Sequence, residues 1–139
     1  MLTQINGLHH VTSIASGAQA NNDFFTKDLG LRRVKKTVNF DAPEVYHLYY
    51  GDEVGTPGSV MTYFPFPHAA RGRPGLGEVG TTVFAVPKGT LGYWQNRFQA
   101  LGTPGLERSS SFGCEHASVK PTKLCMIIQN GNHVCPFNG

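Results

Sequence analysis

Apolar positions in the first 66 residues follow two different periods, and together they predict a βαβββ unit. A β-rich run over residues 8–15 favours a strand. The segment after Gly17, where Phe25 and Leu29 stand four residues apart, predicts a helix that stops at Gly30. Three more strands are predicted over 32–40, 45–50 and 59–64, with turns at 41–43 and 55–58 between them.

The same order restarts after residues 67–79, a segment rich in proline and glycine that is typical of a linker. Residues 81–86 favour a strand and 90–101 a helix, with Thr90 as its predicted N-cap. The two halves match without a gap at an offset of 72 residues, which predicts an internal duplication. The apolar stripe of the second helix comprises Leu91, Trp94, Phe98 and Leu101.

The C-terminal tail departs from this plan. Residues 107–123 contain few apolar side chains, and only 124–128 favours a strand. The predicted fold class is α+β, with two βαβββ modules over 5–66 and 80–139 in a single domain 1–139. The second module is expected to be atypical at its C-terminal end.

Composition and charge exclude several classes of function. The chain has 139 residues, of which 40% are hydrophobic and 15% charged, as in one ordinary soluble domain. No apolar run approaches the roughly 18 residues that cross a bilayer, and no basic and apolar leader is recognisable, so a cytoplasmic protein without a membrane partner is expected. The net charge of +3 is mild and the basic residues are scattered, so nucleic acid is not expected as a partner.

Two adjacent histidines, His9 and His10, begin the first predicted strand. Neutral imidazole on a rigid strand is a good ligand for a divalent transition metal. Because neighbouring side chains of a strand face opposite sides, only one of the pair is expected at a given site unless the strand end twists. A pair of polar residues at a strand edge is the alternative interpretation.

A third histidine lies in a tyrosine-rich strand. Alternation places His47 and Tyr49 on one face and Tyr46, Leu48 and Tyr50 on the other. A polar aromatic wall of this kind suits a phenolic ligand, and tyrosine hydroxyls that reach water at the sheet margin are the alternative.

Cysteines and histidines also occur in the tail, at Cys114, His116, Cys125, His133 and Cys135. Structural zinc sites usually pair ligands two to four residues apart, and these spacings do not fit that rule. The odd number of cysteines argues against a disulfide framework.

Several motifs carry a resemblance to a known family. The chain resembles the hydroquinone-cleaving type of ring-cleaving dioxygenase, within the glyoxalase/bleomycin resistance/extradiol dioxygenase (vicinal oxygen chelate) superfamily, over about residues 5–108. The matching segments are GLHHVT (7–12), DFF (23–25), LGLR (29–32), VKKTVNFD (34–41), YHLYYGD (46–52) and GTPG (55–58).

The resemblance implies paired βαβββ modules and a non-haem Fe(II) enzyme, with Mn(II) as the other candidate metal, that cleaves hydroquinone- or catechol-type aromatics with O2. It implies His10 as a metal ligand, His9 as an acid/base for the phenolic substrate, and Thr12 as a catalytic group lining the site. His47 and Tyr49 are then candidates for substrate binding.

The length of the chain departs from that family. Its members are expected to be about twice as long, and their second histidine and their glutamate ligand come from a half with no counterpart here, so the remaining metal ligands are not found in this sequence. A truncated or frameshifted dioxygenase is the hypothesis, completed by a missing second half or by a homo-oligomer. The alternatives are a metal-free module that binds small aromatics, and an inactive remnant.

Overall fold

The structure is a computed structural model that describes residues 4–5, 7–70, 72–73, 75–77, 82–102, 106–111, 114–119 and 124–128. From residue 106 onward, side chains are described only for Glu107 and Arg108. The chain divides into two compact units, Met1–Gly72 (unit 1) and Arg73–Gly139 (unit 2).

Unit 1 is a four-stranded mixed sheet with one helical segment. The sheet has the order β1-β4-β3-β2, in which β1 runs parallel to β4 and the other neighbours are antiparallel. The parallel pair needs a long crossover, which the helix and the two antiparallel strands provide. The elements are β1 (His10–Ala15), α1 (Ala18–Asp23), β2 (Arg32–Val38), β3 (Tyr46–Gly51) and β4 (Val60–Pro65).

The helical segment widens at its C-terminal end. α1 continues directly into a π-helical turn, Phe24–Asp28, in which the Leu29 N–H donates to the carbonyl of Phe24 at 3.0 Å. Gly30 then adopts a φ of 71°, a left-handed conformation that glycine tolerates best. The turn leaves Phe25 and Leu29 buried, in agreement with their predicted spacing.

Aromatic rings form the centre of the buried face of this sheet. The Phe25 ring stacks on Tyr50 and lies against Tyr63, with centroids 4.8 Å apart in both pairs. Leu48 and Tyr50 are fully buried in the same strand. The Tyr50 hydroxyl has no hydrogen-bond partner among the described residues, and burial raises the pKa of Tyr50 to about 12.

Unit 2 repeats the topology of unit 1. Its sheet has the order β5-β8-β7-β6, with β5 parallel to β8, so the α+β class and the βαβββ order are confirmed. Over the ranges given above, neither helix is long and apolar enough to cross a membrane. The elements are β5 (Thr82–Val86), α2 (Leu91–Ala100), β6 (Leu106–Ser111), β7 (Cys114–Val119) and β8 (Leu124–Ile128).

The expectation that residues 107–123 would contain no strands is wrong, because the backbone forms β6 and β7 there. β6 and β7 pair antiparallel from Leu106 opposite Val119 to Ser111 opposite Cys114, and β7 pairs in turn with β8. Hydrogen bonds of the ladder join main-chain groups, so a polar segment can be held as a strand by its neighbours without an apolar alternation of its own.

Two details of the second helix also differ from the sequence prediction. Thr90 occupies the N-cap position, but its hydroxyl donates to the carbonyl of Pro87 at 2.7 Å and forms no capping hydrogen bond with the first turn of the helix. Its backbone has φ −92° and ψ 0°, outside the extended region that a capping side chain needs. Leu91 and Phe98 are buried, whereas Leu101 lies beyond the last helical turn and is 47% exposed.

The unpartnered Tyr50 hydroxyl yields a prediction about stability. An unpaired buried hydroxyl costs about 1–3 kcal/mol, and Tyr50→Phe removes it while keeping the stacked ring. We expect the free energy of unfolding in urea to stay constant or rise by up to about 1 kcal/mol. Tyr50→Ala, which also removes the ring, should lower it by about 3–5 kcal/mol. A clear loss of stability in Tyr50→Phe would show that the hydroxyl has a partner.

Candidate functional site

One face of the unit 1 sheet carries polar and aromatic side chains, and we call it the polar face. The registers place Thr12 of β1 opposite Thr62 of β4, and Thr62 opposite Tyr49 of β3. Alternation within each strand adds residues two positions away to the same face. The polar face thereby includes His10, Thr12, His47, Tyr49, Thr62 and Phe64, and Ile14, Val60, Lys35 and Thr37 lie on the same side.

A continuous chain of hydrogen bonds crosses this face. Thr12 Oγ1 and Thr62 Oγ1 are 2.7 Å apart, and Thr62 Oγ1 lies 2.9 Å from His47 Nε2. The other ring nitrogen of His47, Nδ1, lies 2.8 Å from the Tyr49 hydroxyl. Thr62 is 0% exposed, so both of its hydrogen bonds are shielded from water.

His47 is enclosed by rings. Its imidazole centroid lies 4.2 Å from that of Tyr49 and 4.0 Å from that of Phe64. Partial burial lowers the pKa of His47 below its usual value of 6.5, and electrostatic interactions with His10 and Lys35 lower it further. The face therefore holds a neutral imidazole between a phenol and an aliphatic hydroxyl.

The two histidines at the start of β1 are brought together at their ring nitrogens. His9 Nδ1 and His10 Nδ1 are 3.1 Å apart, and the rings meet edge to face. Both residues are exposed. The Gly58 N–H donates to the His9 carbonyl at 2.7 Å, which ties the backbone of His9 to the loop before β4.

The acidic residue that follows β3 organises that loop. Asp52 Oδ1 accepts hydrogen bonds from the N–H groups of Val54, Gly55 and Thr56 at 3.2, 2.7 and 2.9 Å. Hydrogen bonding from Thr56 and its neighbours lowers the pKa of Asp52 to about 2. Its carboxylate is thus committed to the turn, as is common for acids at a strand end.

The described residues contain no group of three His, Cys, Asp or Glu side chains that could hold a metal ion. Cys114 and His116 lie in β7 and Cys125 in β8, where only the backbone is described. His133 and Cys135 lie outside the described residues.

The site therefore joins residues that the sequence singled out with two that it did not. His47 and Tyr49 share a face as alternation predicts, and Thr12 joins them through Thr62. Thr62 and Phe64 were missed, because sequence alone does not show which strands are neighbours. The available signal was a single threonine within the apolar run of β4.

Curated relatives match over most of this chain but only part of their own. MhqE of Bacillus subtilis, provisionally named a ring-cleaving dioxygenase, is 49% identical over 107 residues, which are 77% of this chain and 35% of MhqE. Chlorohydroquinone/hydroquinone 1,2-dioxygenase of Sphingobium indicum is 38% identical over 83% of this chain and 36% of its own. The chain thus spans about a third of the length of these relatives. No family model matches it.

Solved structures agree with the fold. A crystal structure of a provisionally named dioxygenase from Bacillus subtilis superimposes with a TM-score of 0.83 at 40% identity, covering 88% of this chain and 40% of that one. A glyoxylase/bleomycin resistance protein/dioxygenase domain from a Frankia species has a TM-score of 0.70 at 14% identity, covering 94% and 96%. The second similarity shows the fold alone.

The lowered pKa of His47 predicts an acid-sensitive contribution to stability. As the pH falls through 6.5, the unfolded chain takes up a proton at His47 before the folded chain does. We therefore expect the free energy of unfolding to decrease below that pH, and His47→Gln to lose this part of the decrease. Urea unfolding between about pH 5 and pH 8 measures it.

His68→Gln is the matched control, because His68 is exposed and lies outside the polar face. It should retain the pH dependence of the original chain. An unchanged dependence in His47→Gln would contradict the prediction.

Proposed function

The chain belongs to the ring-cleaving dioxygenase family of the glyoxalase/bleomycin resistance/dioxygenase superfamily, and we propose that it supplies one module of an enzyme that cleaves hydroquinone-type aromatics with O2. The observation that carries this proposal is the identity of 38% to 49% to relatives with such names. Because the chain covers about a third of their length, the proposal concerns the part of the site that this module contributes.

We assign His10 as a ligand of a divalent metal, Fe(II) or Mn(II). Imidazole is a usual ligand of iron, and His10 is exposed at the start of β1. A histidine ligand is the type expected in a metal site of two histidines and one carboxylate. The number of ligands does not fit such a site, because the described residues contain no group of three His, Cys, Asp or Glu side chains that could hold a metal ion. The remaining ligands are proposed to lie outside the described residues, in a second half or a second copy. Fe(II), when bound, supplies the redox chemistry that joins O2 to an aromatic ring.

The contact between the two histidines supports distinct roles for them. When the Nδ1–H of His10 donates to Nδ1 of His9, Nε2 of His10 is left as a metal ligand. Nε2 of His9 then carries the remaining proton of that ring and can donate a hydrogen bond to a phenolate oxygen. The contact thus supports His10 as the ligand and His9 as a hydrogen-bond donor to the substrate, and the acid/base role of His9 stays a prediction.

The polar face is proposed to bind the aromatic ring of the substrate. His47, Tyr49 and Phe64 present ring surface, and Thr12 presents an exposed hydroxyl on the same face as His10. A mainly aromatic wall with a few fixed polar groups is suited to a small phenol. The homo-oligomer and the cytoplasmic location stay predictions.

A metal-free module that binds small aromatics is the second candidate. The observation that favours it is the ring-lined polar face, whose hydrogen bonds are complete without a metal. In that case hydroquinone should bind equally well with and without a chelator. Binding that requires Fe(II) or Mn(II) would exclude it.

Replacement of His10 tests the metal assignment. We expect His10→Ala to weaken Mn(II) binding, measured by equilibrium dialysis, by at least about tenfold, because an imidazole ligand is lost. If the anaerobically Fe(II)-loaded chain takes up oxygen when hydroquinone is added, that uptake should disappear in the same variant. His68→Ala removes an exposed histidine outside the polar face and should change neither result. Equal Mn(II) affinity in His10→Ala and the original chain would refute the assignment.

A further inference from the structure

Burial of Thr62 restricts how protons can be arranged along the polar face. Its hydroxyl has one proton, is 0% exposed, and has two recorded partners within the described part of the chain, Thr12 and His47. A hydroxyl shielded from water must donate to one of its partners, and it then accepts from the other. With a neutral His47, the chain of hydrogen bonds therefore runs in one of two directions.

The two directions differ in which hydroxyl, at one end of the hydrogen-bond chain or the other, keeps a free proton. In the first, Tyr49 donates to Nδ1 of His47, the Nε2–H of His47 donates to Thr62, and Thr62 donates to Thr12. In the second, every donor is reversed and His47 Nδ1–H donates to the Tyr49 oxygen. Thr12 keeps a free proton only in the first direction.

The chemistry of the groups favours the first direction. The phenol of Tyr49 is a far stronger acid than an aliphatic hydroxyl, so it is the better donor to an imidazole nitrogen. Burial keeps His47 in the neutral form that this arrangement needs. Lys35 Nζ, 5.5 Å from the Tyr49 ring centroid, adds a positive charge that also disfavours protonated His47.

We propose that Thr62 is a positioning residue through which Tyr49 and His47 orient the Thr12 hydroxyl as a hydrogen-bond donor toward a ligand beside His10. Thr12 is exposed and lies two residues from His10 in β1, so its free proton is directed to the same side of the sheet. The ligand that such a donor favours is a phenolate, because a hydrogen bond to a charged oxygen is stronger than one to the neutral oxygen of a phenol. This inference rests on the proposed function and specifies the ionisation state of its substrate.

The tautomer of His47 shows the direction of the hydrogen bonds from Tyr49 to Thr12, and it can be measured without any metal or ligand. We expect imidazole ¹⁵N NMR of the full chain to show Nε2 of His47 protonated and Nδ1 as a hydrogen-bonded acceptor. A proton on Nδ1 would reverse every donor and overturn the proposal.

Replacement of Thr62 tests the consequence for binding. 4-Nitrophenol is the probe, because its absorbance reports whether the bound form is ionised. We expect the original chain to bind the phenolate, and Thr62→Val to weaken that binding because Thr12 is no longer oriented. The loss should reach at most about 10- to 100-fold, the value for complete loss of a hydrogen bond to a charged oxygen. Thr62→Ser, which keeps the hydroxyl, should restore both the affinity and the His47 tautomer. Unchanged affinity in Thr62→Val, or binding of the neutral phenol, would overturn the proposal.

Tyr49→Phe is a second variant that leaves Thr62 in place. It removes the hydroxyl that donates to Nδ1 of His47, so His47 should no longer prefer the tautomer with a proton on Nε2. Phenolate binding should weaken, as it does in Thr62→Val. Phenolate binding that depends on Thr62, in a chain whose Mn(II) affinity is the same with and without His10→Ala, would support this inference and refute the metal site of the proposed function. Metal-dependent oxygen uptake that is indifferent to Thr62→Val would refute the inference and leave the proposed function intact.

Discussion

The parallel pairing of β1 with β4 is the constraint on which the polar face depends. Its register sets Thr12 opposite Thr62, and the antiparallel pairing of β4 with β3 sets Thr62 opposite Tyr49. A slip of one residue would turn every β1 side chain to the other face and break the hydrogen bond between the two threonines. The same register places His10 at the end of the strand beside Val60, where the His9 carbonyl meets the N–H of Gly58.

The two faces of this sheet are stabilised by different interactions. On one, the Phe25 ring stacks on Tyr50, and the fully buried phenol contributes through its ring while its hydroxyl is unpaired among the described residues. On the other, the equally buried Thr62 has both of its partners. Because an unpaired buried hydroxyl costs about 1–3 kcal/mol, the completeness of the Thr62 hydrogen bonds makes a buried polar residue tolerable at that position.

Among the described residues, unit 1 presents histidine side chains and the aromatic polar face, and it contains no complete metal centre. The histidine pair is held by a loop that Asp52 organises through three N–H groups, so the Asp52 carboxylate serves the turn. Under the proposed function, the further metal ligands come from outside the described residues or from a second copy of the chain. The part of the chemistry proposed for unit 1 is recognition of a phenolic ring.

The sequence by itself determined the βαβββ order of unit 1 and the shared face of His47 and Tyr49, because hydrophobic periodicity and side-chain alternation are local properties of the chain. The family followed from the resemblance of segments such as GLHHVT and YHLYYGD to known members. The sequence did not reveal Thr62 or Phe64 as parts of the site, nor the strands β6 and β7, whose sequence lacks an apolar alternation. Only the tertiary structure decided these features, since strand order and register arise from hydrogen bonds between residues distant in sequence. Thr12 and Thr62 are 50 positions apart, and no local pattern shows that one will lie beside the other.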